Sequence, residues 1–137
     1  MSEQQLLVRD AMVPEPLALD ATATAQDAAQ ALVRPEVRSV FVCNDGALIG
    51  VVTRKTLVRD VVAPGLDPKT TRLGDVAEQP NATLDGSMPL SDAFGFLEQE
   101  DYERVPVIEN GKLVGVLSRS VVQRRLAEDE PPVEDPA

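Results

Sequence analysis

Slid along itself by 65 residues, this sequence pairs its two halves from Asp10/Asp75 to Val61/Leu126 without a gap. Fourteen paired positions are identical, among them Asp20/Asp85, Asp27/Asp92, Leu32/Leu97, Val42/Val107, Gly46/Gly111, Gly50/Gly115, Arg54/Arg119 and Arg59/Arg124. Others are close, such as Thr22/Ser87, Ile49/Val114 and Thr53/Ser118. Chance similarity in an Ala- and Val-rich chain does not hold one register through glycines, turns and charges, so the chain is a tandem duplication. One copy of about 55 residues is too small to seal its own core, so the two copies must pack together.

Both copies give the same order of elements. A short amphipathic lead-in, Leu6–Met12 and Thr71–Ala77, ends in a Pro-rich stretch, and extended residues follow at Leu17–Leu19 and Ala82–Leu84. Apolar residues at Ala25, Ala28, Ala29 and Leu32, matched by Leu90, Ala93, Phe94 and Leu97, then have the i, i+3, i+4, i+7 spacing of a one-sided helix. Thr22, Thr24 and Ser87 can cap its start, Pro89 suits a first turn, and Pro35 ends the first copy's helix. Two β-rich runs come next: Ser39–Cys43 and Ala47–Thr53 around Asn44-Asp45-Gly46, and Arg104–Ile108 and Lys112–Ser118 around Glu109-Asn110-Gly111. Asn and Gly supply the positive φ angles that a tight hairpin needs. Second helices follow at Lys55–Val62 and Ser120–Ala127. The repeats thus span 6–63 and 69–127, linked by Pro64–Pro68. Residues 1–5 and the acidic, Pro-rich 128–137 read as disordered tails.

Charge and composition exclude several functions. The chain carries 13 basic against 23 acidic residues, a formal net charge of −10, and five of the acids lie after Leu126. Such a surface repels a phosphate backbone, so nucleic acid is not an expected partner. With no histidine there is no imidazole base, no Ser-His or Cys-His pair and no His-ligated metal. The single Cys43 allows no intrachain disulfide and fits a reducing cytoplasm. Its apolar surroundings in sequence make it a small core residue rather than a nucleophile. The longest uncharged run, Gly46–Thr53, has eight residues, far short of a membrane span, and the opening MSEQQLLVRD lacks the pattern of a signal peptide. Asp20 and Asp85 recur because the chain is duplicated and not as a catalytic dyad; Glu98–Glu103 reads as a solvated helix end and loop. No catalytic constellation is present, and a non-enzymatic, cytoplasmic protein is expected.

Taken in order and twice over, the motifs resemble a known family. Asp10-Ala11-Met12, the run Arg104-Val105-Pro106-Val107-Ile108 with Glu109-Asn110-Gly111 after it, and the paired Gly50-Val51-Val52-Thr53 and Gly115-Val116-Leu117-Ser118 resemble the CBS domain. Two in tandem resemble a Bateman module, and the likeness runs from about Leu6 to Leu126. The resemblance implies an α+β fold: a tandem CBS pair of two β-α-β-β-α repeats packed about a pseudo-twofold axis, with a cleft on either side. It also implies a disk-like homodimer that binds AMP, ADP, ATP or S-adenosylmethionine in the inter-repeat clefts as a regulatory ligand, with no required cofactor and no metal. Regulation is then expected in trans, on an unidentified partner protein.

The physical case for a ligand rests on the strand-to-helix corners. Thr53 and Ser118 end the inner strands, where a hydroxyl can face the N–H groups of the next helix or meet a phosphate. A helix start carries partial positive charge, to which Arg54, Lys55 and Arg119 add full charges. On the plainer reading Thr53 and Ser118 are ordinary N-caps and the arginines are solvated or paired with acids; the two roles can coexist. The family resemblance places an acid for the ribose hydroxyls three residues further on, and those positions hold Thr56 and Val121. Losing a charge-assisted bond worth roughly 1.5–3 kcal/mol weakens binding about ten- to a hundredfold. By the same resemblance Thr83 takes a pocket-lining threonine position, filled by Ala18 in the first copy. Arg104 takes a basic position before the Val-Pro-Val strand, filled by Ser39 in the first copy. The candidate ligand-binding residues are therefore Thr53, Arg54, Thr56, Thr83, Arg104, Ser118, Arg119 and Val121, in two non-equivalent sites. The alternative is a ligand-free dimerisation and interaction scaffold whose nucleotide sites have lapsed.

Overall fold

The computed structural model describes residues 5–14 and 16–129, so most of the two expected tails lies outside the described residues. In chain order the elements are α1 (Val8–Ala11), β1 (Val13–Pro14), β2 (Ala18–Asp20), α2 (Ala25–Leu32), β3 (Val40–Asn44), β4 (Ala47–Val52) and α3 (Arg54–Leu57). After a π-helical stretch Val58–Val62 come α4 (Leu73–Val76), β5 (Leu84–Asp85), α5 (Leu90–Glu100), β6 (Arg104–Glu109), β7 (Lys112–Ser118) and α6 (Arg119–Asp129). The β-α-β-β-α order expected of each copy is present twice, and the fold is mixed α+β.

The strands form two sheets, ordered β1-β7-β6-β5 and β2-β3-β4. In each, the first strand of a copy lies parallel to the next: Leu19 pairs with Val42 and Leu84 with Val107. β3 and β4 form an antiparallel hairpin with a bulge between Val42 and Cys43. The hairpin turns are Asp45-Gly46 (φ 52° and 83°) and Asn110-Gly111 (φ 52° and 76°), two consecutive left-handed residues as a tight primed turn requires. In the first hairpin it is thus Asp45, and not the asparagine before it, that takes the positive φ.

The chain divides into two units that are not the two sequence repeats. One is built from the described residues of Met1–Pro14, Ala82–Glu109 and Val114–Ala137, the other from those of Glu15–Asn81 with Asn110–Leu113. The lead-ins are exchanged. In the first unit, Val8 and Ala11 of the first copy pack with Leu84, Leu90, Ala93, Leu97, Val105, Val107, Leu117 and Val122 of the second. In the other, Leu73 of the second copy's lead-in packs with Ala28, Leu32, Val40, Val42 and Val52. Backbone bonds repeat the exchange with the 65-residue period: Val8 N–H donates to the Met88 carbonyl at 2.8 Å, and Leu73 N–H to the Ala23 carbonyl at 2.8 Å. Burying a Leu or Val side chain of this kind contributes roughly 1.5–3 kcal/mol.

Each lead-in crosses its host sheet at a glycine. A Cβ on Gly50 would lie 2.6 Å from the Ala77 Cβ and 3.0 Å from the Glu78 carbonyl oxygen. On Gly115 it would lie 2.6 Å from Met12 Sδ and 2.8 Å from the Val13 carbonyl oxygen. Neither contact leaves room for a side chain, which accounts for the glycine in both Gly-Val-x-Thr/Ser motifs.

Local signals are mostly honoured. Thr24 caps α2 by accepting from the Asp27 N–H at 3.2 Å, while the Asp27 carboxylate accepts from the Thr24 N–H at 3.0 Å, a reciprocal capping box. Three expectations are corrected. Ser87 does not cap α5: Pro89 holds that position, and the Ser87 hydroxyl donates to Asp85 at 2.6 Å instead. The first copy's last helix is α-helical only to Leu57, where an Ala63 N–H to Val58 carbonyl bond of 2.9 Å marks the wider π turn. α6 includes Glu128 and Asp129, because the first helix-breaking residues after Leu126 are Pro131 and Pro132.

Candidate functional site

The two strand-to-helix corners differ in chemistry. In the unit holding β4, Thr53 leaves the strand with extended backbone and caps α3. Thr56 N–H donates to Thr53 Oγ1 at 3.3 Å, and Thr53 N–H donates to Thr56 Oγ1 at 3.1 Å. Thr56 is wholly buried, and its hydroxyl donates to Glu78 Oε2 at 2.5 Å. Its one proton is thereby committed, so the 3.1 Å contact between the two hydroxyls has Thr53 as donor. Arg59 reaches Glu78 Oε1 at 2.8 Å and also Asp60 at 2.9 Å. The Thr56 hydroxyl first, and then the Arg59 guanidinium, hold the Glu78 carboxyl below the usual glutamate range, so it is ionised at neutral pH. Arg54 is exposed and donates to the Arg34 carbonyl at 2.8 Å; it has no acidic partner among the described residues.

In the other unit, buried Ser118 ends β7. Its hydroxyl donates to Glu103 Oε2 at 3.2 Å and lies 3.0 Å from the Ser120 hydroxyl. Arg119 donates to the Leu97 carbonyl at 3.4 Å and to Asp101 at 3.1 Å, with Glu103 at 3.7 Å. Its own backbone N–H, the first of α6, is taken by the Glu103 carbonyl at 2.8 Å. The plainer sequence reading of Arg119, a cation paired with acids, therefore describes this corner. The stretch Glu98–Glu103 is the exposed helix end and loop that the sequence suggests, and its Asp101 (φ 58°) and Glu103 are the acids that meet Arg119.

The structure thus brings Thr53 and Thr56 together at one corner and Ser118 and Arg119 at the other. Val121 is half-buried in the first turn of α6. Thr83 and Arg104 are exposed at the starts of parallel neighbours, just before β5 and at the head of β6. Glu78, Asp101 and Glu103 were not singled out by sequence. The signal for Glu78 was available: the 65-residue shift sets it against Val13, a charge opposite an apolar residue.

Residues 8–63 and 73–128 each match the CBS domain family. The chain belongs to the CBS-domain family. As a CBS tandem it is a regulatory ligand-binding module, and the match points to no catalytic family. It is 29% identical to Hypoxic response protein 1 of Mycobacterium tuberculosis over 102 residues, 74% of this chain and 71% of that one. A crystal structure of Hypoxic Response Protein I with two coordinated zinc ions superposes with a TM-score of 0.74 at 26% identity, covering 88% of this chain and 98% of that one. The structure of CBSX2 in complex with AMP superposes with a TM-score of 0.70 at 25% identity, covering 89% and 96%.

A zinc site does not suit this CBS tandem. It has no histidine, its one cysteine is buried, and among the described residues no three His, Cys, Asp or Glu side chains are grouped to hold a metal ion. Among the described residues no helix is long and apolar enough to cross a membrane.

Proposed function

We propose that the chain is a cytoplasmic regulatory module that binds an adenine nucleotide, or a related adenosyl ligand such as S-adenosylmethionine, at its strand-to-helix corners. It works as a homodimer and reports ligand occupancy to a partner protein in trans. The observation that carries this reading is the Thr53 corner, where two hydroxyls, a carboxylate and a guanidinium follow one another in a chain of hydrogen bonds from Thr53 through Thr56 and Glu78 to Arg59. CBSX2, at 25% identity, was crystallised with AMP. Arg54, lacking an acidic partner among the described residues, is the cation for a phosphate, with Thr83, Arg104 and the Ser118/Arg119 corner as the second copy's contacts. Val121 contributes apolar surface only.

Thermal melting with millimolar AMP, ADP, ATP and S-adenosylmethionine in turn tests the reading. A ligand that binds only the folded chain adds about 2.7 kcal/mol at a hundred times its Kd, a rise of several degrees for a domain of this size. No rise with any of the four overturns it.

The scaffold alternative draws on a specific observation: the Ser118/Arg119 corner already spends its hydroxyl, its cation and its first helical N–H on Glu103, Asp101 and Leu97. The same unit that holds Thr53 also carries an apolar groove of Ala29, Leu32 and Leu57 rimmed by Val33, Val58 and Val62, which are 76%, 61% and 68% exposed. Exposed valines grouped in this way suit a subunit contact. Sedimentation velocity should give a dimer whether or not nucleotide is present; a monomer at micromolar concentration refutes the homodimer in both readings.

A further inference from the structure

The duplication gives each copy a pair of packed helices on its flank, α2 with α3 in the first and α5 with α6 in the second. The two flanks have diverged in opposite directions. In the first copy, Ala29, Leu32 and Leu57 form the groove described above, with Val33, Val58 and Val62 on its rim and Arg54 beside them. The π-helical stretch buries Val61 and leaves both Val58 and Val62 exposed. The 65-residue shift carries Ala29 onto Phe94, Val33 onto Glu98, Val58 onto Gln123 and Val62 onto Ala127. A methyl group in the groove of one flank is thus a half-buried phenyl ring on the other, and two of the rim valines become polar.

The loops that follow α2 and α5 differ in charge as well. Val33–Arg38 carries Arg34, Glu36 and Arg38, whereas Glu98–Glu103 carries Glu98, Glu100, Asp101 and Glu103 and no cation. All seven charged residues are exposed. The first loop is tied to its groove by Arg54, which donates to the Arg34 carbonyl at 2.8 Å, and Lys55 adds an exposed cation next to it. At the second loop Asp101 and Glu103 hold Arg119, while Glu98 and Glu100 have no basic partner among the described residues. Arg124 and Arg125 lie further along α6. One flank therefore offers an apolar groove with a basic loop, and the other an aromatic projection with an acidic loop. Pairing like flanks of two chains would also cover the valines, but it would set Arg34 and Arg38 against their own copies and the four carboxylates against theirs. Like charges so placed oppose association, whereas unlike flanks attract.

We propose that the groove of the first copy is the docking site for the second copy's flank on another chain: Phe94 seats over Ala29, and the Glu98–Glu103 loop meets Arg34 and Arg38. The contact is heterologous, and it is made twice when the second chain's groove takes the first chain's Phe94. Docking removes the exposed valines from water, which drives association, and the loop charges decide which flanks meet. The proposal rests on the homodimer reading above and names the faces that pair within it.

The test is sedimentation velocity of the full chain at low and high salt. The wild-type dimer should loosen as salt rises, because screening weakens attraction between unlike loops. Glu98→Lys with Glu100→Lys makes both loops basic, and Arg34→Glu with Arg38→Glu makes both acidic. Each double variant should dimerise at least about tenfold more weakly than wild type. All four side chains are exposed, so circular dichroism should show both variants folded. A chain with all four substitutions exchanges the loop charges; it should dimerise with itself and not with wild type. Mixed dimers formed in preference to self-pairs, or a wild-type dimer that tightens with salt, would mean that like flanks meet and overturns the proposal. Double variants that dimerise as wild type does also overturn it. A wild-type chain that stays monomeric refutes the homodimer reading itself and removes this proposal with it.

Discussion

Thr56 shows how much one side chain's bonding decides. Read in sequence, it is a weak neutral stand-in for an acid. Folded, it donates its only proton to an acid brought from another segment. Thr53 was legible as a cap because a cap and the helix it starts are local, whereas Thr56 was named from the family resemblance alone and its place in the capping box was not read. Glu78 was not legible, because its place at the corner depends on a bridge between residues 27 apart in the chain, Val51 and Glu78. Cys43 illustrates the opposite case, where local apolar context was enough. It is buried in β3, and burial first, then the charge of Asp20, raises its thiol pKa. A raised pKa leaves less thiolate, and burial blocks approach. Native protein at pH 7.5 should therefore react with a disulfide reagent far more slowly than protein in denaturant; equal rates would mean that the β2–β3 pair opens readily.

At the scale of elements, the crossings at Gly50 and Gly115 join fold and site. Gly50→Ala pushes a Cβ against the Ala77 Cβ and a backbone oxygen, neither of which is a flexible tip. Overpacking of this kind costs about 1–3 kcal/mol. The clash falls on the Ala77–Glu78 segment, so the variant should also lose ligand affinity if Glu78 contacts ligand. Chemical denaturation and nucleotide titration of Gly50→Ala measure the two effects, and a variant as stable as wild type contradicts the close approach. Helices and hairpins were legible because their signals lie within a few residues: the Ala25–Leu32 periodicity, the Thr24/Asp27 box, the Asn-Gly turn. The lead-in exchange was not, and the duplication itself explains why. Val8 and Leu73 occupy equivalent positions, and either would fill the apolar slot of either copy, so hydrophobic pattern alone assigns each to its nearer core.

For the molecule as a whole, the acidic balance and the bonded carboxylates act in opposite senses as pH falls. At a formal charge of −10, protonating acids relieves self-repulsion, which favours the folded chain. Against this, Asp20 and Asp85 are held below the ordinary aspartate value of 3.8 by bonds from Thr22 and Ser87, and Asp60 is held below it by Arg59. Glu78 is held below 4.5 by Thr56 and Arg59. A carboxyl whose pKa is lower folded than unfolded gives its full stabilisation above the unfolded value and loses it as pH falls through the folded one. Between pH 7 and 5 neither group of acids changes much, and the melting temperature should be nearly flat. Below about pH 4.5 the unfolded chain begins to take up protons that the folded chain refuses, and the melting temperature should fall steadily. Glu78→Gln removes one of these groups, so its melting curve should start lower at pH 7 and converge with wild type in acid. A melting temperature that instead climbs from pH 5 to pH 3 would mean that relief of repulsion outweighs the four bonded carboxylates, and that they are exposed pairs of little worth.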